Sequence, residues 1–116
     1  MSDESTTVRA LRDAIARFVA DRDWQQFHDP KNLAMSISIE AAELMEHFQW
    51  LRSEQLDAIR SSESDMRLVR EELADILCYA LSFANALEID VADAVREKIA
   101  KNEQKYPADQ FKGRYR

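Results

Sequence analysis

The sequence predicts an all-α protein, four long helices in a bundle, and three observations carry that prediction. Glycine occurs once and proline twice in 116 residues, so long helices are favoured over sheets. Four stretches repeat apolar residues at three- and four-residue intervals, the period of a helix with one buried side. Aspartates stand where helix caps belong, before Pro30 and before the run that starts at Val91. No repeat or low-complexity tract divides the chain. A single domain over residues 1–116 is expected, with its core at about 6–107 and a basic tail at 108–116.

In order along the chain, residues 1–4 read as a frayed tail. A first helix is expected over about 6–23, with Val8, Leu11, Ile15, Phe18 and Val19 as its apolar stripe. Trp24 to His28 connect it to a second helix, capped by Asp29, begun by Pro30 and expected to reach about residue 50. Leu33, Ile37, Ala41, Leu44 and Phe48 form its main stripe. Met35, Ile39 and Trp50 form a second apolar strip, which on a small protein suggests a subunit interface. Ser53 starts a short helix through about residue 60, and 61–65 read as a loop. A third long helix is expected over about 66–87, with Val69, Leu73, Ile76, Ala80, Phe83, Ala84 and Leu87 facing the core, and Cys78 as an inert buried thiol. Asp90 caps the fourth, which ends near Tyr106, before Pro107. Val91, Val95 and Ile99 make its apolar side, and Lys98, Asn102 and Lys105 continue along that same side. Lysines ordinarily occupy the solvated face, so this strip asks for an anionic partner. The tail is expected to be irregular.

Composition narrows the function. A net charge of −6 argues against binding a nucleic-acid polymer, which needs a basic surface. The lone Cys78 forms no internal disulfide and fits a reducing cytoplasm. No apolar run approaches membrane-spanning length and the start of the chain is polar, so neither a membrane span nor a secretory signal is expected.

Two carboxylate pairs organise the rest. Glu40 and Glu43 have i, i+3 spacing, and so do Glu72 and Asp75. Each pair falls on one helix face, with its members roughly 60° apart. Glu40 and Glu72 sit at the borders of core stripes, where an unpaired carboxylate is costly, whereas Glu46 and Glu71 point elsewhere. Two adjacent helices can aim these four carboxylates at one point, and a hard divalent cation such as Mg2+, with Mn2+ as a substitute, suits that donor set. Lys31, Lys98 and Lys105 can neutralise phosphate charge. Trp24, Phe27, Trp50 and Tyr79 offer faces on which a base can stack. The set suits a nucleoside polyphosphate and a water attacking phosphorus.

The segments RDWQQFHDPKNLAMSISIEAAELMEHFQW (22–50), EELADILCYAL (71–81) and KIAKNEQKYP (98–107) resemble the all-α MazG-like nucleotide pyrophosphohydrolases, and within them the dCTP pyrophosphatase branch. This resemblance implies a MazG-type fold, assembled as a homodimer or homotetramer with sites near subunit boundaries. It implies Mg2+-dependent hydrolysis of a (deoxy)nucleoside triphosphate to monophosphate and pyrophosphate, in clearing surplus or non-canonical nucleotides. The family's metal ligands fall on Glu40, Glu43, Glu72 and Asp75, and its nucleotide contacts on Trp24, His28, Lys31, Asn32, Trp50, Tyr79, Lys98, Asn102, Lys105 and Tyr106. Glu43 or Glu72 can also serve as general base. Two departures stand out: Ile15 occupies a place where some relatives carry a polar residue near the base, and the tail ends soon after Lys112-Gly113-Arg114. Two rivals remain. A di-iron carboxylate bundle uses Glu-x-x-His motifs, and neither pair here holds a histidine at that spacing. A non-catalytic helical module leaves the inward lysines and carboxylates unexplained.

Overall fold

The longest helix, α4 (Glu63–Leu87), is the one against which three of the other helices lie. The structure, a computed structural model, describes residues 1–114. In chain order the remaining helices are α1 (Val8–Asp21), α2 (Pro30–Glu46), α3 (Leu56–Ser61), α5 (Val91–Lys105) and α6 (Ala108–Phe111). Single 3-10 turns precede α2, at Gln25–Phe27, and α3, at Ser53–Gln55. The chain is all-α, as its composition and periodicity predict. The four long helices are α1, α2, α4 and α5. Of these, α2 packs most extensively on α4, and α1 lies against α4 beside it.

Local chemistry sets the boundaries. Thr7 starts α1, its hydroxyl accepting from the Ala10 amide at 3.0 Å, two residues later than expected. The helix stops at Asp21, and Asp23 turns into the left-handed region at φ 53°. Asp29 caps α2 as expected, accepting from the Asn32 amide at 2.8 Å. That helix ends at Glu46 rather than near residue 50. The last turn tightens there, and the His47 and Phe48 amides donate to carbonyls three residues back.

Three expectations need correction. Residues 61–65 are no loop: Ser61 ends α3, Ser62 caps α4 by accepting from the Asp65 amide at 3.3 Å, and Glu63 and Asp65 face the positive end of the helix dipole. The tail is not irregular throughout. Residues Ala108–Phe111 form α6, with Phe111 edge-on to Tyr106 at 5.2 Å between ring centroids. Positions 115 and 116 of the expected tail lie outside the described residues. Finally, Cys78 is exposed in this chain rather than buried.

The interior of one chain is thin. Leu33, Val19 and Ala84 are its buried apolar residues. Arg12 is buried with them, its Nε donating to Asn85 Oδ1 at 2.9 Å and its Nη1 to the Ile89 carbonyl at 2.6 Å. Asn85 Nδ2 in turn donates to the Arg12 carbonyl at 3.2 Å. These bonds clamp α1 to the end of α4. They also hold the turn through Glu88, whose φ of 54° is one that glycine usually supplies. From that turn α5 departs. Past Val91 it is exposed along its length and packs extensively on no other helix among the described residues.

Candidate active site

Glu40 and Glu43 on α2 meet Glu72 on α4 because these two helices make the main packing of the fold. Each glutamate offers an oxygen, and the three lie within 4.8 Å of one another. Asp75 stands one turn beyond Glu72, outside that tight group. One oxygen of Glu40 and one of Glu72 are sealed from solvent without a hydrogen-bond partner. The Glu40 carboxyl is pushed up to about 7. Loss of surrounding water is the main cause, followed by hydrogen bonds to Glu43 and Glu72 that only a protonated Glu40 can donate, then by the charges of Glu43 and Asp75. Converging oxygens, sealed and unpartnered, that resist carrying their charges together are the donor set of a hard divalent cation.

A cavity of about 460 Å³ lies between α1 and α4, with Asp75, one turn along from Glu72, on its wall. An aromatic row runs along it. Phe18 meets Trp24 edge-on at 5.7 Å, Trp24 lies 6.3 Å from His28, and His28 lies 6.3 Å from Tyr79. The sequence marked Trp24, His28 and Tyr79 as nucleotide contacts, and all three line this one space. His28 Nδ1 is sealed from solvent with no partner. Burial pushes the Tyr79 hydroxyl up, and the charges of Glu40 and Asp75 push the same way. Partial loss of water around the exposed Cys78 raises its thiol too, with Asp75 adding to the effect, so the thiol stays protonated and unreactive.

The remaining candidates are placed differently. Lys31 is exposed at the start of α2. The Asn32 side chain is already engaged, its Nδ2 donating to the Phe27 carbonyl and to Asp29 Oδ2, both at 3.1 Å, and so closes the loop that carries His28. Trp50 is 85% exposed. Lys98, Asn102 and Lys105 lie exposed on α5, and Lys105 Nζ sits 5.3 Å from the Tyr106 ring centre. This chain therefore does not itself pack the lysine strip on the carboxylates. Phe18 and Ser82, neither singled out from sequence as a site residue, also line the cavity. Ser82 had a signal: it follows Asp75 by seven residues and so shares its side of α4.

Comparison with known proteins gives the family of this chain. The pattern of the MazG-like family matches residues 35–115. The dCTP pyrophosphatase 1 of Bos taurus is 36% identical over 107 residues, 92% of this chain and 63% of that protein. The Homo sapiens protein of the same name is 36% identical over 102 residues, 88% of this chain and 60% of its own length. The chain thus spans less than two thirds of these relatives. The crystal structure of a pyrophosphatase from Archaeoglobus fulgidus superposes with a TM-score of 0.79 at 41% identity, over 92% of this chain and 98% of that one.

Proposed function

This chain belongs to the MazG-like family, and from that premise we propose that it hydrolyses nucleoside triphosphates, dCTP best, to the monophosphate and pyrophosphate. One observation carries the reading: a carboxylate cluster suited to a divalent cation stands one helix turn from Asp75, which lines an aromatic cavity large enough for a base. A triphosphate held at Glu40, Glu43, Glu72 and Asp75 has its base beside Trp24, His28 and Tyr79. The relatives named dCTP pyrophosphatase 1 support cytosine as the base.

Mg2+, or Mn2+ in its place, held by these four carboxylates, would supply charge for the phosphate oxygens and acidify a water. Glu43 or Glu72 takes the proton of the attacking water. The water oxygen bonds to the α-phosphorus, the bond from that phosphorus to the bridging oxygen breaks, and pyrophosphate leaves intact. We assign Lys31, exposed at the start of α2, to the leaving charge. The other cations sit on α5, away from the cluster of their own chain. We therefore assign Lys98, Asn102, Lys105 and Tyr106 to the site of a second copy in a homodimer or homotetramer. Trp50 and the exposed Met35 and Ile39 supply apolar surface for that assembly. The free Cys78, and the absence among the described residues of any helix long and apolar enough to cross a membrane, support a cytoplasmic setting.

The test is incubation with Mg2+ and a panel of nucleoside triphosphates, followed by separation of products. Monophosphate plus pyrophosphate, fastest from dCTP, is expected, with Glu40→Gln and Asp75→Asn each losing more than about a hundredfold in turnover while staying helical. Diphosphate plus orthophosphate would place the cleaved bond wrongly, and near-full activity in either variant would move the metal site elsewhere.

A further inference from the structure

The geometry points to Ser82 as the residue that selects the base, its hydroxyl bonding the polar edge of the pyrimidine at the inner end of the cavity. This rests on the reading of the site given above and names the specificity element within it.

Ser82 is 8% exposed on α4. Asp75, Tyr79 and Ser82 follow one another at intervals of four and three residues, so they form a column about 10.5 Å long down one side of the helix. Asp75 is its metal-site end and Ser82 its inner end. That length suits a nucleotide whose phosphates lie at Asp75 and whose base reaches inward. A second space of about 310 Å³ adjoins the aromatic cavity, and Ile15, Val19, His28 and Ser82 line both. Ser82 therefore stands where the two spaces join, across from α1.

Two polar groups line this apolar setting. The Ser82 hydroxyl has no hydrogen bond to another described residue and, unlike His28 Nδ1, is not sealed from solvent, so it is open to the cavity it lines. His28 Nδ1, on the same wall, is sealed and likewise unpartnered. Buried polar atoms are ordinarily satisfied, so the orphaned His28 Nδ1, with the open Ser82 hydroxyl lining the same cavity, marks where a ligand's donors and acceptors belong. A pyrimidine presents adjacent donor and acceptor atoms along one edge, which answers a hydroxyl and an imidazole nitrogen together. Ile15, opposite on α1, brings no polar atom, so Ser82 carries the discrimination on its side. Were Ser82 present only as a small residue that lets α1 approach α4, alanine would serve equally well.

The experiment measures kcat and KM of the full chain and of Ser82→Ala with dCTP and with the triphosphate of a nonpolar pyrimidine isostere of the same shape. Alanine favours the helix, and circular dichroism checks the fold. Loss of the hydroxyl should raise KM for dCTP about tenfold, as expected for one hydrogen bond to a buried edge. It should leave kcat within about twofold and KM for the isostere unchanged, so that the preference for dCTP narrows. An unchanged preference in Ser82→Ala, or an equal loss on both substrates, would overturn the assignment. Wild-type protein that hydrolyses no nucleotide would instead sink the reading of the site itself, and the role of Ser82 with it.

Discussion

At Glu40 a carboxyl half out of water, beside Glu43 and Glu72, keeps its proton to about pH 7. In the unfolded chain the same group gives it up near its ordinary value of 4.5. Between those values folding takes up a proton, so the metal-free protein should lose stability as pH rises from about 4.5 to 7. A divalent cation at the cluster displaces that proton. Its affinity should therefore climb by up to about tenfold per pH unit below 7 and level off above, in calorimetric titrations with Mg2+ or Mn2+ from pH 5.5 to 8.5. A flat profile would put the cation elsewhere. The i, i+3 spacing picked out Glu40 and Glu72 because periodicity alone turns them toward the core. It could not tell that Asn32, adjacent in the same motif, spends its amide on Phe27 and Asp29. A side chain's hydrogen-bond partners depend on loop geometry that spacing does not encode.

Among the elements, α4 carries Asp75 and Ser82, the proposed metal-site and base-site ends, and two devices fix it. Its start is a serine cap, Ser62, with acids in the first turn. This Ser-x-x-Asp pattern was present in the sequence, and the run of serines and acids around it reads equally well as a loop. Contact between α3 and α4 decides in favour of a single-residue junction. Its end is held by Arg12, which reaches across from α1 to Asn85 and Ile89. Replacing Arg12 by Met should keep the volume but leave the Asn85 amide oxygen and the Ile89 carbonyl without their donors. A loss of about 1–3 kcal/mol is expected, read from urea unfolding. Unchanged stability would mean that the clamp contributes nothing. Arg12 was not singled out from sequence, although it lies beside Val19 around the helix. Its burial follows from the way α1 docks on the end of α4, which no local pattern reveals.

For the whole molecule, the radius of gyration is 17.3 Å, against about 13 Å for a compact chain of this length. The excess fits α5, which leaves the body at Glu88 with Val95 and Ile99 each 52% exposed. A helix with an uncovered apolar side and a lysine strip beside it fits a second copy, where the strip can meet carboxylates it does not reach at home. Sedimentation should then give at least twice the 13.5 kDa chain mass. Subunit mixing tests the division of labour. Glu72→Gln and Lys98→Ala, each inactive alone, should recover up to about a quarter of wild-type activity when co-refolded, since half the dimers are mixed and each of those has one intact composite site. No recovery would return α5 to its own chain's site.

Local order was fixed along the chain itself. Caps at Asp29 and Asp90, the helical stripes and the facing of each carboxylate pair follow from a period of about 3.6 residues, and the ordered motifs marked the family. These features depend on neighbours within one or two turns. Tertiary structure decided the rest: which carboxylates meet, that Phe18 and Ser82 share a cavity with Trp24, His28 and Tyr79, and that α5 stands apart from the body. Those are distances between elements, set by how side chains of α1, α2 and α4 interlock, and helical periodicity gives the face of a helix without saying what lies across from it.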